Sequence, residues 1–589
     1  MSNDKKSADY HVKNLFSKLG ISKNGFLVIL TIFMIIVIIK ILLSTNFYAP
    51  FIVPDEYIYD NNAFLLSTGH FYPSMGTVPP LYQIILSLSY HVSNDQNVVY
   101  HVMLGISCVM SSLTIFPAYF ILKRYIEPIY AIPGAIAITI IPALNFFTFT
   151  LMLENLFIPL LLFALWAIIE AFDTHTLRWQ ILAGTSIACL EITRSLGQVI
   201  EFSFLLTFVV YLLLNRNSGI LRLLKNNMAM LLSFVTVFSV WHVFLQLMSK
   251  IAVSGVGGSS GNVGTSYKAL SIFSSIGYIF QNYYDFILSV KVLINHFDYL
   301  FLSLYLIPVF LIYYFFINRD NKILLNTGYQ FCGILIFLSI LLMVFSVTIF
   351  NMSLIESLTE FHFSLGRYLD PLLPPIIIFG LISICKANIN HFKIHFVNYF
   401  IFMECAVLVI VYISTYSHNI IYEPKDCINN PSLIYLYLID YWIYPLVILA
   451  LSILSTVILF LASINKRIIL VLLLLIICLS LICSYVSYNY FMNSSEVLVN
   501  NNISHYLYEN SNDQTMVLID KNLTGWDNKF ARYIDNFWND GETSLIDINE
   551  SNLSALMASD NVYLVTTSNF NYTPVAVDDR LKLYHYDDV

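Results

Sequence analysis

Charge is what this sequence has least of. Asp, Glu, Lys and Arg make up 11% of its 589 residues, where a soluble chain carries about 25%. With 58% hydrophobic residues, that scarcity excludes both a soluble multidomain enzyme and a disordered chain. Cysteines suited to bridging are lacking too. Seven of the eight (Cys108, Cys189, Cys332, Cys385, Cys405, Cys478 and Cys483) lie in or at the edge of apolar runs, and only Cys427 falls in a polar loop. No pair suggests a disulfide, so the scaffold is not a bridged one and the thiols read as small hydrophobes.

What the chain has instead is long apolar runs, such as 26–44, 324–350 and 468–488. Each has the ~20 residues a helix needs to cross ~30 Å of hydrocarbon. The expected fold is therefore an α-helical polytopic membrane protein with about thirteen spans, near 26–44, 99–122, 129–149, 155–171, 180–193, 199–214, 228–248, 298–317, 324–350, 371–385, 397–415, 441–463 and 468–488. Residues 1–25 form an arm carrying Lys5, Lys6, Lys13, Lys18 and Lys23 with no cleavage pattern, which places it in the cytoplasm before an uncleaved anchor.

Alternation from that start is consistent. The loops then expected inside carry Lys123–Arg124, Arg178, Arg216 with Arg222 and Lys225, Arg319 with Lys322, Lys386 with Lys393, and Lys466–Arg467. The opposite loops, 45–98, 150–154, 249–297, 351–370 and 416–440, hold few basic residues, as the positive-inside rule requires. An odd span count puts the C-terminal end outside.

Residues 491–589 form a unit distinct from the membrane module 26–490. They hold 5 Lys/Arg against 15 Asp/Glu, and six N-x-Ser/Thr sequons, at Asn493, Asn502, Asn522, Asn549, Asn552 and Asn571, which point to an exterior face. Strand-like runs at 515–520, 543–547, 561–566 and 581–586 alternate with helix-like 497–510, 527–539 and 550–558, the pattern of a small α/β domain. It has no Gly-rich phosphate loop and no His/Cys metal spacing, and reads as a structural cap or docking module.

Ionisable groups are costly at a membrane, so chemistry is sought where they gather on one face. Four places on the expected outer face qualify. The first outer loop opens Val53-Pro54-Asp55-Glu56-Tyr57; adjacent carboxylates there suit a general base, or simply the first turn of a helix. The loop runs on past His70 to Pro79-Pro80-Leu81-Tyr82-Gln83, which opens an amphipathic run that fits a helix lying in the interface. Glu154-Asn155 occupies a short apolar turn, as a site acid or as the N-terminal cap of the next span. Thr193-Arg194-Ser195 ends a span. Glu360-Phe361-His362 precedes Gly366-Arg367-Tyr368-Leu369-Asp370-Pro371. Arginine at an outer boundary runs against the positive-inside trend, so Arg194 and Arg367 each call for an anionic partner, either a lipid phosphate or a carboxylate of the chain itself. Ser254 to Ser266 is a Gly/Ser stretch able to act as a lid or as a connector. Glu191 and Glu404 fall within spans and serve either as proton relays or as satisfied neutral carboxyls.

The order and sidedness of these motifs resemble the polyprenyl-phosphate-dependent glycosyltransferases of the C superfamily, nearest the protein O-mannosyltransferase and lipid A aminoarabinose transferase group. The resemblance covers most of the chain: the span count, the outer loop opening with Asp55-Glu56, the Pro79-Pro80-Leu81 helix and the C-terminal α/β unit. It implies Asp55 as the catalytic base with Glu56 beside it, and Glu154 as a second acid. The segment from Gly366 to Pro374 is similar to a Gly-Arg-Tyr-(apolar)2-Pro signature, with Asp370 an added charge. Arg367 is then expected at the donor phosphate, and Tyr368, Asp370, Glu360 and His362 nearby. Thr77 and Val78 stand where aminoarabinose transferases carry an acidic-basic pair, so Arg194, Arg367 or His70 would take the place of the missing lysine.

The implied donor is a polyprenyl (dolichyl) phosphate monosaccharide, the implied acceptor a glycan, lipid or protein at the cell surface, and the chemistry an inverting displacement. No resident cofactor is expected, and a divalent metal has little support, since the first loop lacks an Asp-x-Asp. Membrane lipid is an expected partner and nucleic acid is not. Sequons on an outer domain suit an archaeal surface or a eukaryotic lumen better than a bacterial periplasm, and the archaeal surface is favoured. A secondary transporter or flippase is the alternative; it calls for midplane charges in two related halves, and the ionisable residues here gather at one rim.

Overall fold

The computed structural model describes residues 23–47, 50, 55–72, 75, 78–93, 96–255, 283–303, 327–357, 365–386, 428–438 and 444–499, together with most of 502–523 and the strands that follow. Three helices lead into the membrane module: α1 (Lys23–Ser44), α2 (Asp55–Ser67) and the short α3 (Leu81–Leu86). Then come α4 (Gln96–Ser112), α5 (Ile115–Tyr125), α6 (Pro128–Thr139), α7 (Pro142–Thr148), α8 (Glu154–Thr174), α9 (Leu177–Thr193), α10 (Gly197–Leu214) and α11 (Ile220–Gly255). After these follow α12 (Tyr283–Leu302), α13 (Thr327–Ser357), α14 (Leu373–Lys386), α15 (Tyr444–Ile464), α16 (Ile468–Val499) and α17 (Asn502–Asn510).

Among the described residues eight helices are long and apolar enough to cross a membrane, or nine if the bent pair α6 and α7 makes one span. The spans expected at 397–415 and over most of 298–317 lie outside the described residues, as do Glu404, Glu360 and His362 and nearly all of the Gly/Ser stretch. The single span expected over 129–149 is in fact broken by 48°. Pro142 causes the break: it has no N–H to donate, and it pushes Ile141 to an extended ψ of 150°.

Burial explains how the bundle holds together. On α1 Ile29 and Val37 are buried while Leu27, Ile35, Ile38 and Leu42 are exposed, so one stripe docks on the bundle and the rest faces lipid. Lys40, on the buried side, donates to Ser111 Oγ at 3.1 Å and Thr148 Oγ1 at 3.2 Å. Helices α9 and α11 cross closely because Gly184 has no Cβ; one built there would strike the Met230 carbonyl. Glu191 also proves to have partners, from helices other than its own. It accepts a bond from Gln198 Nε2 at 2.8 Å, lies 3.6 Å from His242 Nε2 and faces the side chain of Glu201.

The C-terminal unit contains a five-stranded sheet of order β2-β1-β3-β5-β4, with β1 Met516–Asp520, β2 Glu542–Ile546, β3 Val562–Thr566, β4 Ala576–Asp578 and β5 Leu581–His585. Strand β1 pairs in parallel with β2 and β3, while β5 runs antiparallel to β3 and β4. Four strands fall close to the expected runs; the three-residue edge strand β4 is an addition. Parallel neighbours need crossovers, and the helices expected at 527–539 and 550–558 lie outside the described residues.

Candidate active site

Four segments far apart in sequence bring their charges together. Helix α2 begins at Asp55, with both acids of the pair in its first turn, where the helix dipole favours negative charge. The two side chains then part. Asp55, with its side chain 30% exposed, accepts a bond from Arg367 Nη1 at 3.1 Å. Glu56 is fully buried and its Oε1 accepts the Leu151 N–H at 2.7 Å, tying α2 to the turn before α8. Glu56 thus supports the loop that carries Glu154.

Glu154 opens α8 and is buried. Its Oε1 lies 2.9 Å from Arg194 Nη1, an ion pair not aligned well enough to count as a hydrogen bond. Arg194 is the C-cap of α9, in extended conformation, with its N–H on the Leu190 carbonyl at 2.9 Å. That break in the helix swings the guanidinium over the Tyr368 ring, 4.8 Å from its centroid. Arg367 approaches the same ring at 5.2 Å, and its backbone N–H donates to the Asn429 carbonyl at 2.7 Å. Tyr368 therefore spaces the two cations, each over an aromatic ring that attracts it.

Below these, the Asp370 carboxyl is fully buried. Its Oδ1 accepts the Tyr299 hydroxyl at 2.6 Å and the Ser432 hydroxyl at 2.7 Å, and Tyr299 in turn accepts the Ser432 N–H at 3.2 Å. The backbone at Gly366 passes so close to the Tyr299 ring that a Cβ would overlap it. Gly366→Ala is accordingly expected to displace Arg367 and to lower stability by about 1–3 kcal/mol, read by thermal unfolding in detergent. An unaltered midpoint would show that Tyr299 moves freely.

Tyr59, one turn after Asp55, was not singled out by sequence, although its i+4 spacing places it on the same face. Burial pushes its hydroxyl well above the ordinary tyrosine range; Asp55 and Glu154 push the same way, and Arg194 and Arg367 oppose them. The ring thus stands among all four charges. Tyr299 and Ser432 were missed as well, with no local signal to find them. His70 is not brought to the cluster. Its N–H bonds to the Leu65 carbonyl at 2.8 Å, its ring nitrogen pairs with Thr68 Oγ1, and it stays beyond the far end of α2, a helix that rises about 18 Å from Asp55 to Ser67. Among the described residues no group of three or more His, Cys, Asp or Glu could hold a metal ion.

Residues 77–244, from the α3 loop to α11 and including Glu154 and Arg194, match the family described as dolichyl-phosphate-mannose-protein mannosyltransferase. Two crystal structures of ArnT from Cupriavidus metallidurans superpose with TM-scores of 0.48 at 12% identity. The one bound to undecaprenyl phosphate covers 95% of this chain and 98% of its own, and the apo one covers 94% and 97%. No curated protein matches the chain. Through the segment 77–244, then, the chain is similar to the dolichyl-phosphate-mannose-protein mannosyltransferase family.

Proposed function

We propose that this protein moves a monosaccharide from a polyprenyl phosphate to a glycan, lipid or protein acceptor on the outer membrane face. The convergence of Asp55, Glu154, Arg194 and Arg367 about Tyr368 and Tyr59 carries the reading. Two guanidiniums set about one tyrosine ring suit a phosphate monoester that gains charge as it leaves. A carboxylate at the edge of the same cluster suits removal of a proton from an incoming hydroxyl or amine. The match of residues 77–244 to the dolichyl-phosphate-mannose-protein mannosyltransferase family supports a polyprenyl phosphate of that class as donor.

In the step envisaged, an acceptor oxygen or nitrogen forms a bond to the anomeric carbon while the bond from that carbon to the phosphate oxygen breaks. The electron pair leaves with the phosphate, against Arg367 and Arg194, and Asp55 takes the acceptor proton. Attack opposite the leaving group inverts the anomeric centre. The thirteen-span topology, with residues 1–25 inside, 491–589 outside and an archaeal cell surface as its setting, belongs to the same proposal.

Transfer of labelled sugar by the purified protein from a panel of polyprenyl-phosphate monosaccharides tests it. The expected result is label on the acceptor, with the anomer inverted and free polyprenyl phosphate released in equal amount. Labelled solute accumulating in vesicles without transfer from any donor would favour the transporter instead.

A further inference from the structure

Among the described residues, two carboxyl oxygens beside the site, Asp370 Oδ2 and Glu154 Oε2, have no donor. Asp370 uses Oδ1 for both Tyr299 and Ser432, while its buried Oδ2 makes no hydrogen bond among the described residues. Glu154 pairs Oε1 with Arg194 and leaves Oε2 in the same condition. The turn Asp370–Leu372 packs on α8, which begins at Glu154, and the two carboxyls lie within electrostatic reach of each other and of Arg194.

Such oxygens are costly to bury unless something donates to them. The fold has no use for the second oxygen of Asp370, because Oδ1 alone fastens the segment Pro431–Leu438 to the turn through Ser432. A phosphate brings no donors and is repelled by these carboxyls. A hydroxyl or amino group is what they accept. The site is thereby divided: the guanidiniums of Arg367 and Arg194, with Arg367 Nε also lacking a partner, make a cationic side, and Glu154 and Asp370 an acceptor side.

We infer that Asp370 determines which sugar is transferred, its Oδ2 accepting a hydrogen bond from one hydroxyl or amino group of the donor's sugar ring. This rests on the transferase reading above and adds the recognising group. The charge that interrupts the Gly-Arg-Tyr-(apolar)2-Pro pattern thus becomes a specificity element.

The test compares kcat/KM across polyprenyl-phosphate monosaccharides that differ from the best donor by one deoxy or deamino position, with parent protein and with Asp370→Asn. Asparagine keeps an oxygen for Tyr299 and Ser432 and turns the free oxygen into a donor. The parent is expected to disfavour one analogue by about 10- to 100-fold, and the variant to reduce that ratio to about threefold or less. Tyr299→Phe, which leaves Oδ2 in place, is expected to retain the discrimination.

Undiminished discrimination in Asp370→Asn overturns the inference while leaving the transferase reading intact. So does an equal loss on every donor in Asp370→Asn and Tyr299→Phe, which is what a purely structural pin predicts. A parent that treats all analogues alike overturns it without any variant. If Asp370→Asn does not fold, Asp370→Ala, which removes the free oxygen, takes its place: discrimination lost supports the inference and discrimination kept overturns it. A parent inactive with every donor removes the transferase reading, and this inference with it.

Discussion

Exchange of Asp55 for asparagine is expected to lower the transfer rate by about 10²- to 10⁴-fold, the range for removal of a general base, with kcat falling more than the donor KM rises. Asparagine retains an oxygen where Arg367 Nη1 now donates, so the guanidinium keeps its place and donor binding suffers little. What is lost is the capacity to take a proton. The neighbouring carboxyls are not placed to substitute, because each is buried where the Asp55 side chain is 30% exposed. Glu56 is fully buried on the Leu151 N–H, Glu154 faces Arg194, and Asp370 holds Tyr299 and Ser432. Single-turnover transfer with labelled donor separates chemistry from product release. Full activity in Asp55→Asn would remove Asp55 from the role of base, and an equal rise in KM with kcat unchanged would make it a binding residue only.

The same partition of carboxylates shows how far the sequence could be read. Asp55, Glu154, Arg194 and Arg367 were all singled out by one physical argument, that charge at a membrane face is costly and needs a reason to be there, and the fold brings the four together. The partner was open between a lipid phosphate and an internal carboxylate, and the fold supplies carboxylates to both arginines. Glu56 was read beside Asp55 in the site, yet successive helical residues point about 100° apart, and that rotation sends it into the core. Tyr299 and Ser432 could not be found, because their meeting with Asp370 depends on how three distant segments pack. His70 lies apart from the cluster for a related reason: proximity in a loop says nothing once a 13-residue helix intervenes. Spans were legible wherever apolar length alone decides. The kink at Pro142 was open to reading and went unread, since hydropathy averages over a proline that the backbone cannot ignore.

Replacement of Arg194 by methionine is expected to cost about 3–5 kcal/mol of stability, the penalty for leaving a buried charge without its partner. Glu154 is 1% exposed, its second oxygen already lacks a donor among the described residues, and Arg194 is the cation within 4 Å of it there. The double variant Arg194→Met with Glu154→Gln is expected to recover most of the loss, because the amide carries no charge to strand. In a double-mutant cycle the two changes should therefore be strongly non-additive, measured by unfolding of the purified protein in detergent. Additive losses would mean that Arg367, which also lies within electrostatic reach of Glu154, neutralises it unaided. Transfer, by contrast, should stay low in the recovered double variant. A buried ion pair is seldom better for stability than a well-packed apolar pair of similar volume. A stable but inactive double variant would show that these two charges are kept at the site for its chemistry, with Arg194 set on Tyr368 where a leaving phosphate needs a second cation.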